Sequence, residues 1–463
     1  MRIGKRGFGS RIKGDLQVRF EDDRLTSHAG LELFRRYFKE GGLVGHLRDS
    51  ERRLPRRGDL RFVPLVLLIV AMLLVGRRRL RHAESLGDDP LVRRLTGLRR
   101  SPTRRTLARR LGALRRADLD ELDRVLLVSA VDSLAAQQFP RLTIDVDGSV
   151  LTTGLTVKGA VRGYNPHHRK NPSYYPITAT VAQTGHVLAH RNRPGNVNDS
   201  YRAADFLKTT VTRLRDTLRS PALIEVRADS AFFQRDFLEA CDRLGVEYTV
   251  RVPMWHYLNL RGLLRTVDPK LWRTVSGAAQ VEGIFLHLEV PFWNRSEHIA
   301  IYRTRRNHQP VKGTQLDLFN PDDGFWEYSV VATNKNLGLL ALWHFTNGHG
   351  VHEKTLAELK SGFAYDEIPT RDWWANTAWQ KLNLLAHNTN VGFQVDLLHR
   401  ARGRTAKRTA AFMVSSIRTA RFEWLNRAAR LITPAGRPTL RLPLNTAVEH
   451  AFTKAALALD QVA

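Results

Sequence analysis

The sequence predicts an α/β protein: a core on a mixed sheet whose first three strands are antiparallel, a β-rich insertion within it, and helical N- and C-terminal regions. Three observations predict this class. Residues 25–138 are leucine-rich, have no alternating runs and carry few Gly or Pro outside apparent turns. At residue 139 the pattern changes to a period of two, and from about residue 337 helical spacing returns.

Bulk properties bound the function before any motif is considered. At 463 residues the chain exceeds what one core usually organises, so two or three structural units are expected, and a hydrophobic share of 43% is enough to bury them. Seventy-three Lys and Arg against 45 Asp and Glu leave a formal charge of +28. Such an excess fits a polyanionic partner, nucleic acid first and an anionic membrane surface second. A single cysteine, Cys241, excludes an internal disulfide and a thiolate metal cluster, so a cytoplasmic location is expected. "MRIGKRGFGSRIKGDLQVRF" has no apolar core of the kind a secretory signal needs.

The N-terminal region, residues 1–138, contains the most apolar stretch, "FVPLVLLIVAMLLVG" from Phe62 to Gly76, with arginines on both sides. A spanning helix needs about 20 apolar residues, so this segment is expected to be a buried core helix and no membrane partner is expected. In "RSPTRRTLARRLGALRR" Ser101 suits an N-cap and Pro102 the first helical position. On the helix that follows, Leu107, Leu111 and Leu114 share one side, while Arg104, Arg105, Arg109, Arg115 and Arg116 share the other. That basic face suits solvent or a DNA backbone.

From 139 to 250 the elements are "LTIDVDGS" as a strand, a basic loop "VKGAVRGYNPHHRKNPSYY", and "ITATVA" and "HVLAHR" as a hairpin around "QTG". A helix in "SYRAADFLKTTVTRLRDTLRS" follows, with Ser200 as its N-cap; then come strand "ALIEVRADS", helix "AFFQRDFLEACDRLG" and strand "VEYTVRV". Three strands in a meander, helix, strand, helix, strand is the order of the ribonuclease H-like sheet. In that fold the first and fourth strands are neighbours, which sets Asp145 or Asp147 opposite Asp229.

Residues 251–336 form the β-rich insertion, with Trp255, Trp272, Trp293 and Trp326. Residues 337–400 form a second, helical part of the core, and 401–463 a basic C-terminal region.

Each acidic residue has a plain alternative. Asp-Gly in "VDGSV" is also a hairpin-turn signal, and Asp229 in "VRADSAFF" also suits an N-cap. A third carboxylate comes from "GHGVHEKTLAELKSGFAYDEIP", where Glu353, Leu356, Lys360 and Phe363 fall on one helical line. Glu358 points elsewhere on that wheel and is expected to be solvated. "HEKTL" lacks the second histidine of a zinc-protease helix, and no phosphate-binding glycine loop occurs, so neither zinc nor ATP is indicated.

Taken together, "SHAGLELFRRYF", "SPTRRTLARRL", "DVDGS", "GYNP" with "NPSYYPI", "TGHVLAHRNRPGN", "VRADSAFF", "ELKSGFA", "ANTAWQKLNLLAHN" and "GRPTLRLPL" resemble the group 1 DDE transposases of bacterial insertion sequences. The resemblance runs from about residue 25 to 445. It implies that Asp147, ahead of Gly148 and Ser149, is the first catalytic and metal-binding carboxylate, Asp229 the second and Glu353, seven residues ahead of Lys360, the third. It implies magnesium, with manganese able to substitute, and two ions. It also implies double-stranded DNA as partner, cleavage of transposon ends followed by strand transfer into a target, a homodimer on the DNA ends and a nucleoid-associated protein.

Lys360, Arg104, Arg105, Arg109, Arg162, Arg169, Lys170, Arg191 and Arg193 are expected to contact DNA, with His349 and Trp326 as further candidates. One departure bears on activity. Family members carry a tyrosine and an arginine seven and four residues before the glutamate, where this chain has Thr346 and His349. The missing arginine charge weakens a phosphate contact unless His349 is protonated against DNA. The alternative is a catalytically inactive, transposase-derived DNA-binding protein.

Overall fold

The computed structural model of the protein describes residues 21–462 apart from 56–57, 155, 164, 166–167, 169, 277–279, 306–325, 349 and 404–408. The expectations for Arg169 and His349 lie outside the described residues.

A nine-stranded mixed sheet organises the molecule. Its strands are β1 (Arg141–Gly148), β2 (Ile177–Val181), β3 (Val187–Arg191), β4 (Leu223–Ala228), β5 (Glu247–Val252), β6 (Arg273–Ser276), β7 (Val281–Val290), β8 (Arg295–Arg305) and β9 (Trp326–Thr333). Their spatial order is β3-β2-β1-β4-β5-β9-β8-β7-β6. The β1–β2 and β2–β3 pairs are antiparallel, β1–β4 and β4–β5 are parallel, and the remaining pairs are antiparallel. The inserted strands therefore extend the edge at β5, with Val330 opposite Val252 and Thr333 opposite Thr249. Pairing that edge satisfies backbone groups that an open strand would leave exposed.

Among the described residues the longer α-helices are α1 (Leu31–Glu40), α2 (Leu43–Arg53), α3 (Phe62–Leu74), α4 (Pro90–Thr96), α5 (Arg104–Gly112), α6 (Arg116–Gln137), α7 (Ala203–Leu218), α8 (Arg235–Arg243), α9 (Leu260–Thr266), α10 (Leu339–Asn347), α11 (Gly350–Phe363), α12 (Trp373–Phe393) and α13 (Thr446–Val462). Among the described residues no helix is long and apolar enough to cross a membrane. The apolar segment from residue 62 is α3, a core helix buried from Leu65 to Leu74. α12 is buried along its length from Ala375 to Phe393, although it carries Asn376, Gln380, Lys381, Asn383, His387 and Asn388. A buried helix of that composition needs internal partners. Lys381 Nζ pairs with Asp123 of α6, and the Asn388 side-chain amide bonds both the N–H and the C=O of Val187 at 2.8 Å.

Two large apolar clusters result. One joins α1–α6 to Leu359, Phe363, Trp379 and the C-terminal Trp424 and Leu459. The other fills the space between the sheet and α7–α8. The glutamate-bearing α11 is thus built into the core of the N-terminal helices, and its start is turned to the sheet.

Several local expectations need correction. α5 begins at Arg104 with Thr103 as N-cap, its Oγ1 accepting from Thr106 N at 3.2 Å, while the Ser101 hydroxyl is turned to the Ala83 carbonyl at 2.8 Å. Ser200 does not cap α7; Arg202, at φ 55°, occupies that position, and Ser200 Oγ bonds Asn198. Residues 25–138 are not helical throughout, since Leu25–Thr26 pairs as a strand with Ala429–Arg430. The helix expected from residue 231 is a 3₁₀ turn, Ser230–Phe232, followed by α8. Glu358 is not simply solvated; its Oε1 accepts from Ile417 N at 2.5 Å.

Candidate active site

β1 and β4 lie side by side with Asp145 opposite Arg227 and Val146 opposite Ala228, so the register brings Asp147 and Asp229 to the same end of the sheet. That end is the carboxyl end of three parallel strands, where open α/β sheets form their clefts. A cavity of about 370 Å³ opens there, lined by Asp147, Arg227, Asp229, Thr249, Arg251, Thr346, Asn347, Gly350 and Glu353. The three carboxylates named by the motifs thus reach one cavity from β1, from the turn after β4 and from the first turn of α11.

Asp145 and Asp147 share a face of β1 but not a fate. Asp145 is fully buried and gripped by Arg227, whose Nε and Nη2 reach its two oxygens at 2.6 and 2.9 Å. Asp147 retains 26% of its side-chain exposure; its Oδ1 accepts from Gly148 N at 2.7 Å and its Oδ2 lies 3.9 Å from Nε2 of the buried His352. The capping use of Asp229 is realised as well: its Oδ1 accepts from Ser230 N at 2.5 Å. Capping one amide leaves a carboxylate with lone pairs toward the cavity.

Gly148 is dictated by a close approach. A Cβ there would lie 1.9 Å from Asp199 Oδ1. Asp199 Oδ2 accepts from the Tyr175 hydroxyl at 2.6 Å, and Arg193 donates to the carbonyls of Tyr175, Asp199 and Tyr201 at 2.8 to 3.0 Å. Burial raises the Asp199 carboxyl above its usual range; Tyr175 and Arg193 oppose the shift and Asp229 adds to it. This assembly fixes the backbone that follows Asp147.

The donor chemistry of the cavity fits a hard divalent cation: its acidic donors are all carboxylate oxygens. Among the described residues, however, no three His, Cys, Asp or Glu side chains stand close enough together to form a ready cation site. Three like charges facing one cavity repel, and their side chains stand apart in this structure.

The cationic candidates divide. Lys360 is half-buried on α11; burial lowers its ammonium pKa, while Asp366 and Asp147 pull it back up. Arg104, Arg105 and Arg109 lie exposed along one face of α5, and Arg162 and Lys170 are exposed in the loop after β1. Arg191 is partly spent on Asp205 at 2.9 Å and on the Phe206 ring. Arg193 overturns its expectation as a DNA contact: it is 1% exposed and bonded to internal carbonyls. Trp326 lies against the guanidinium of Arg303, with Trp272 also stacked on that group, at 4.4 and 4.2 Å. Thr346 is buried with its hydroxyl donating to the Leu342 carbonyl at 2.9 Å.

Two cationic residues of the cavity were given no role in the sequence reading. Arg251 stands at the carboxyl end of β5, exposed, with Nη2 3.3 Å from Asn347 Oδ1. Its position as the last-but-one residue of a strand in "VEYTVRV" was the available signal. Arg227 is likewise the last-but-one residue of β4 and lies within "VRADSAFF", but its pairing with Asp145, 82 residues away, left no local mark.

The profile described as "Transposase DDE domain group 1" matches residues 10–463. A search of curated proteins finds no match. Among solved structures the chain is similar to one titled "Cryo-EM structure of piggyBac transposase synaptic complex with hairpin DNA", with 12% identity, a TM-score of 0.44, and coverage of 87% of this chain and 80% of that one. On the match across nearly its whole length, the chain belongs to the group 1 DDE-domain transposases.

Proposed function

We propose that the protein is a DNA transposase that binds the ends of an insertion sequence and catalyses metal-dependent strand cleavage and strand transfer. The observation that carries this is the convergence of Asp147, Asp229 and Glu353 on one cavity in a chain of charge +28. The antiparallel meander β3-β2-β1 followed by parallel β4 and β5 supports a ribonuclease H-like core for the catalytic unit.

In this reading Asp147, Asp229 and Glu353 hold two divalent cations, magnesium or manganese, which supply Lewis acidity to the phosphoryl oxygens. The chain's own residues do the rest. Lys360 and Arg251 hold non-bridging oxygens of the scissile phosphate, Asp147 and Glu353 orient the attacking water, and the cavity walls restrict its approach to one side. Water oxygen bonds to phosphorus as the bond to the 3′-oxygen breaks, and that oxygen leaves as a 3′-hydroxyl. The same hydroxyl then attacks a phosphate of target DNA: its oxygen bonds to phosphorus as the target's own bond from phosphorus to the 3′-oxygen breaks, and the displaced oxygen takes up the attacking hydroxyl's proton and leaves as a 3′-hydroxyl on the target strand. Arg162 and Lys170 in the loop after β1, and Arg104, Arg105 and Arg109 on α5, track the backbone and so position DNA without reading its sequence. Synapsis of two ends calls for a homodimer on DNA, and such a protein works at the nucleoid in the cytoplasm.

The buried Thr346, with its hydroxyl spent inside α10, favours one second reading: a DNA-binding protein that no longer cleaves. A cleavage assay on DNA from the boundaries of the protein's own gene separates the two. With magnesium or manganese, nicking at the ends is expected from the wild type. Asp147→Ala, Asp229→Ala and Glu353→Ala are each expected to lower it at least 10³-fold with DNA affinity kept within about threefold. Binding without nicking by the wild type supports the silent protein.

A further inference from the structure

The Asp145–Arg227 pair reaches the cavity through Arg227, which is part of its lining, and its geometry exceeds what a simple ion pair needs. Asp145 is two residues before Asp147 and shares its face of β1, and Arg227, on β4, is two residues before Asp229 in the turn that follows the strand. Both side chains are at most 2% exposed and the contact is bidentate. The guanidinium has a third arm. Nη1 donates to the Phe345 carbonyl at 2.8 Å and to Thr409 Oγ1 at 3.1 Å, and the group lies 5.1 Å from the Phe345 ring centroid. Phe345 belongs to the last turn of α10, immediately before the segment that leads into α11 and Glu353. Gly348 leaves room for this approach: a Cβ there would stand 2.3 Å from Arg227 Nη1.

We infer that Arg227 is the positioning residue of the active site, a three-way clamp that holds β1, β4 and the α10–α11 junction in the mutual geometry their carboxylates need. The inference rests on the proposed catalytic reading for its consequence, but the clamp itself is a statement about folded geometry. A fully desolvated pair is weak evidence of stabilisation, because replacement by apolar residues is often neutral. Its rigid planar fork, in contrast, fixes three partners at set angles, which a lysine cannot reproduce.

The test uses the full chain in three forms: wild type, Arg227→Lys, and the double variant Asp145→Leu with Arg227→Met, which avoids leaving a lone buried charge. Amide hydrogen exchange is followed for residues 342–348 and 350–353, and DNA cleavage is titrated with Mn²⁺. The clamp predicts a cooperative melt for the double variant and DNA affinity within about twofold of wild type. It also predicts at least tenfold faster exchange in those residues, cleavage lowered at least tenfold, and a half-saturating Mn²⁺ concentration raised severalfold in Arg227→Lys. A double variant with wild-type exchange in 342–353, or with wild-type cleavage, overturns it, since a purely structural pair would be replaced without such effects. Exchange is measured without DNA or metal. A wild type that never cuts DNA therefore removes the catalytic reading, while faster exchange in the variants still supports the clamp and unchanged exchange still sinks it.

Discussion

At the scale of single residues, Gly148 shows how little space is left beside the backbone that follows Asp147. The Asp199 carboxylate lies where its Cβ would go, 1.9 Å away, so Gly148→Ala must push Asp199 off its 2.6 Å bond to Tyr175. Overpacking of this kind costs about 1–3 kcal/mol. Urea denaturation of Gly148→Ala, Asp199→Ala and the double variant is expected to give a non-additive cycle, with the alanine at 148 costing less once Asp199 is truncated. Additive effects would mean that the two side chains do not meet. The choice between Asp145 and Asp147 was not legible from alternation, because both occupy the same parity of β1. What separates them is Arg227, and its pairing depends on the parallel register of two strands that are distant in sequence. The places of Asp229 at the end of a strand and of Glu353 at the start of a helix were legible, because each stands where the pattern of one element gives way to the next.

At the scale of elements, the buried helix α12 and the turn that leads into β3 carry a pH dependence. Burial lowers His186 to about 3, with the neighbouring His387 adding to the shift, and lowers His387 to about 4 against the opposing bond to the Gly185 carbonyl. Both histidines therefore stay neutral in the folded chain while their unfolded counterparts take up protons near pH 6.5. The unfolded state binds more protons between pH 6.5 and about 4, so stability is kept above pH 6.5 and lost as pH falls through that window. The loss amounts to roughly 1.4 kcal/mol per pH unit for each histidine. Urea midpoints at pH 7.5, 5.5 and 4.5 check this, and His387→Gln is expected to flatten the slope. A midpoint that does not change between pH 7.5 and 4.5 would contradict it.

In α3 the apolar run was legible as a core helix from length alone, and Leu68→Ala, at a 1% exposed position, is expected to cost about 2–5 kcal/mol in the same assay. Caps were less legible. Ser101 and Thr103 are both good cap formers beside a proline, and only the tertiary bond from Ser101 to Ala83 decides between them. The insertion strands were readable as strands, but their addition to the edge at β5 was not, since pairing between distant strands leaves no local mark in the sequence.

At the scale of the molecule, charge and fold divide the work. The basic face of α5 was visible on a helical wheel and is exposed in the folded chain, with Leu107 and Leu111 buried behind it. If Arg104, Arg105 and Arg109 neutralise phosphates, replacing all three by alanine should lower the slope of log affinity against log salt by about 2–3, near 0.9 for each phosphate no longer neutralised. An unchanged slope, read by fluorescence anisotropy across 50–300 mM salt, would return that face to solvent. On the proposed reading the cavity's carboxylates are the counterpart of this positive surface, because cations held there would screen them from the DNA backbone.

The most direct measurement of the central claim therefore places a cation there and asks where it sits. With Fe²⁺ in place of magnesium, and ascorbate with peroxide to generate hydroxyl radicals, the protein backbone is expected to be cut near residues 145–149, 227–231 and 350–354, and excess Mg²⁺ should suppress all three cuts together. Cuts confined to other sites, or cuts at one of these segments without the others, would contradict a metal site shared by Asp147, Asp229 and Glu353.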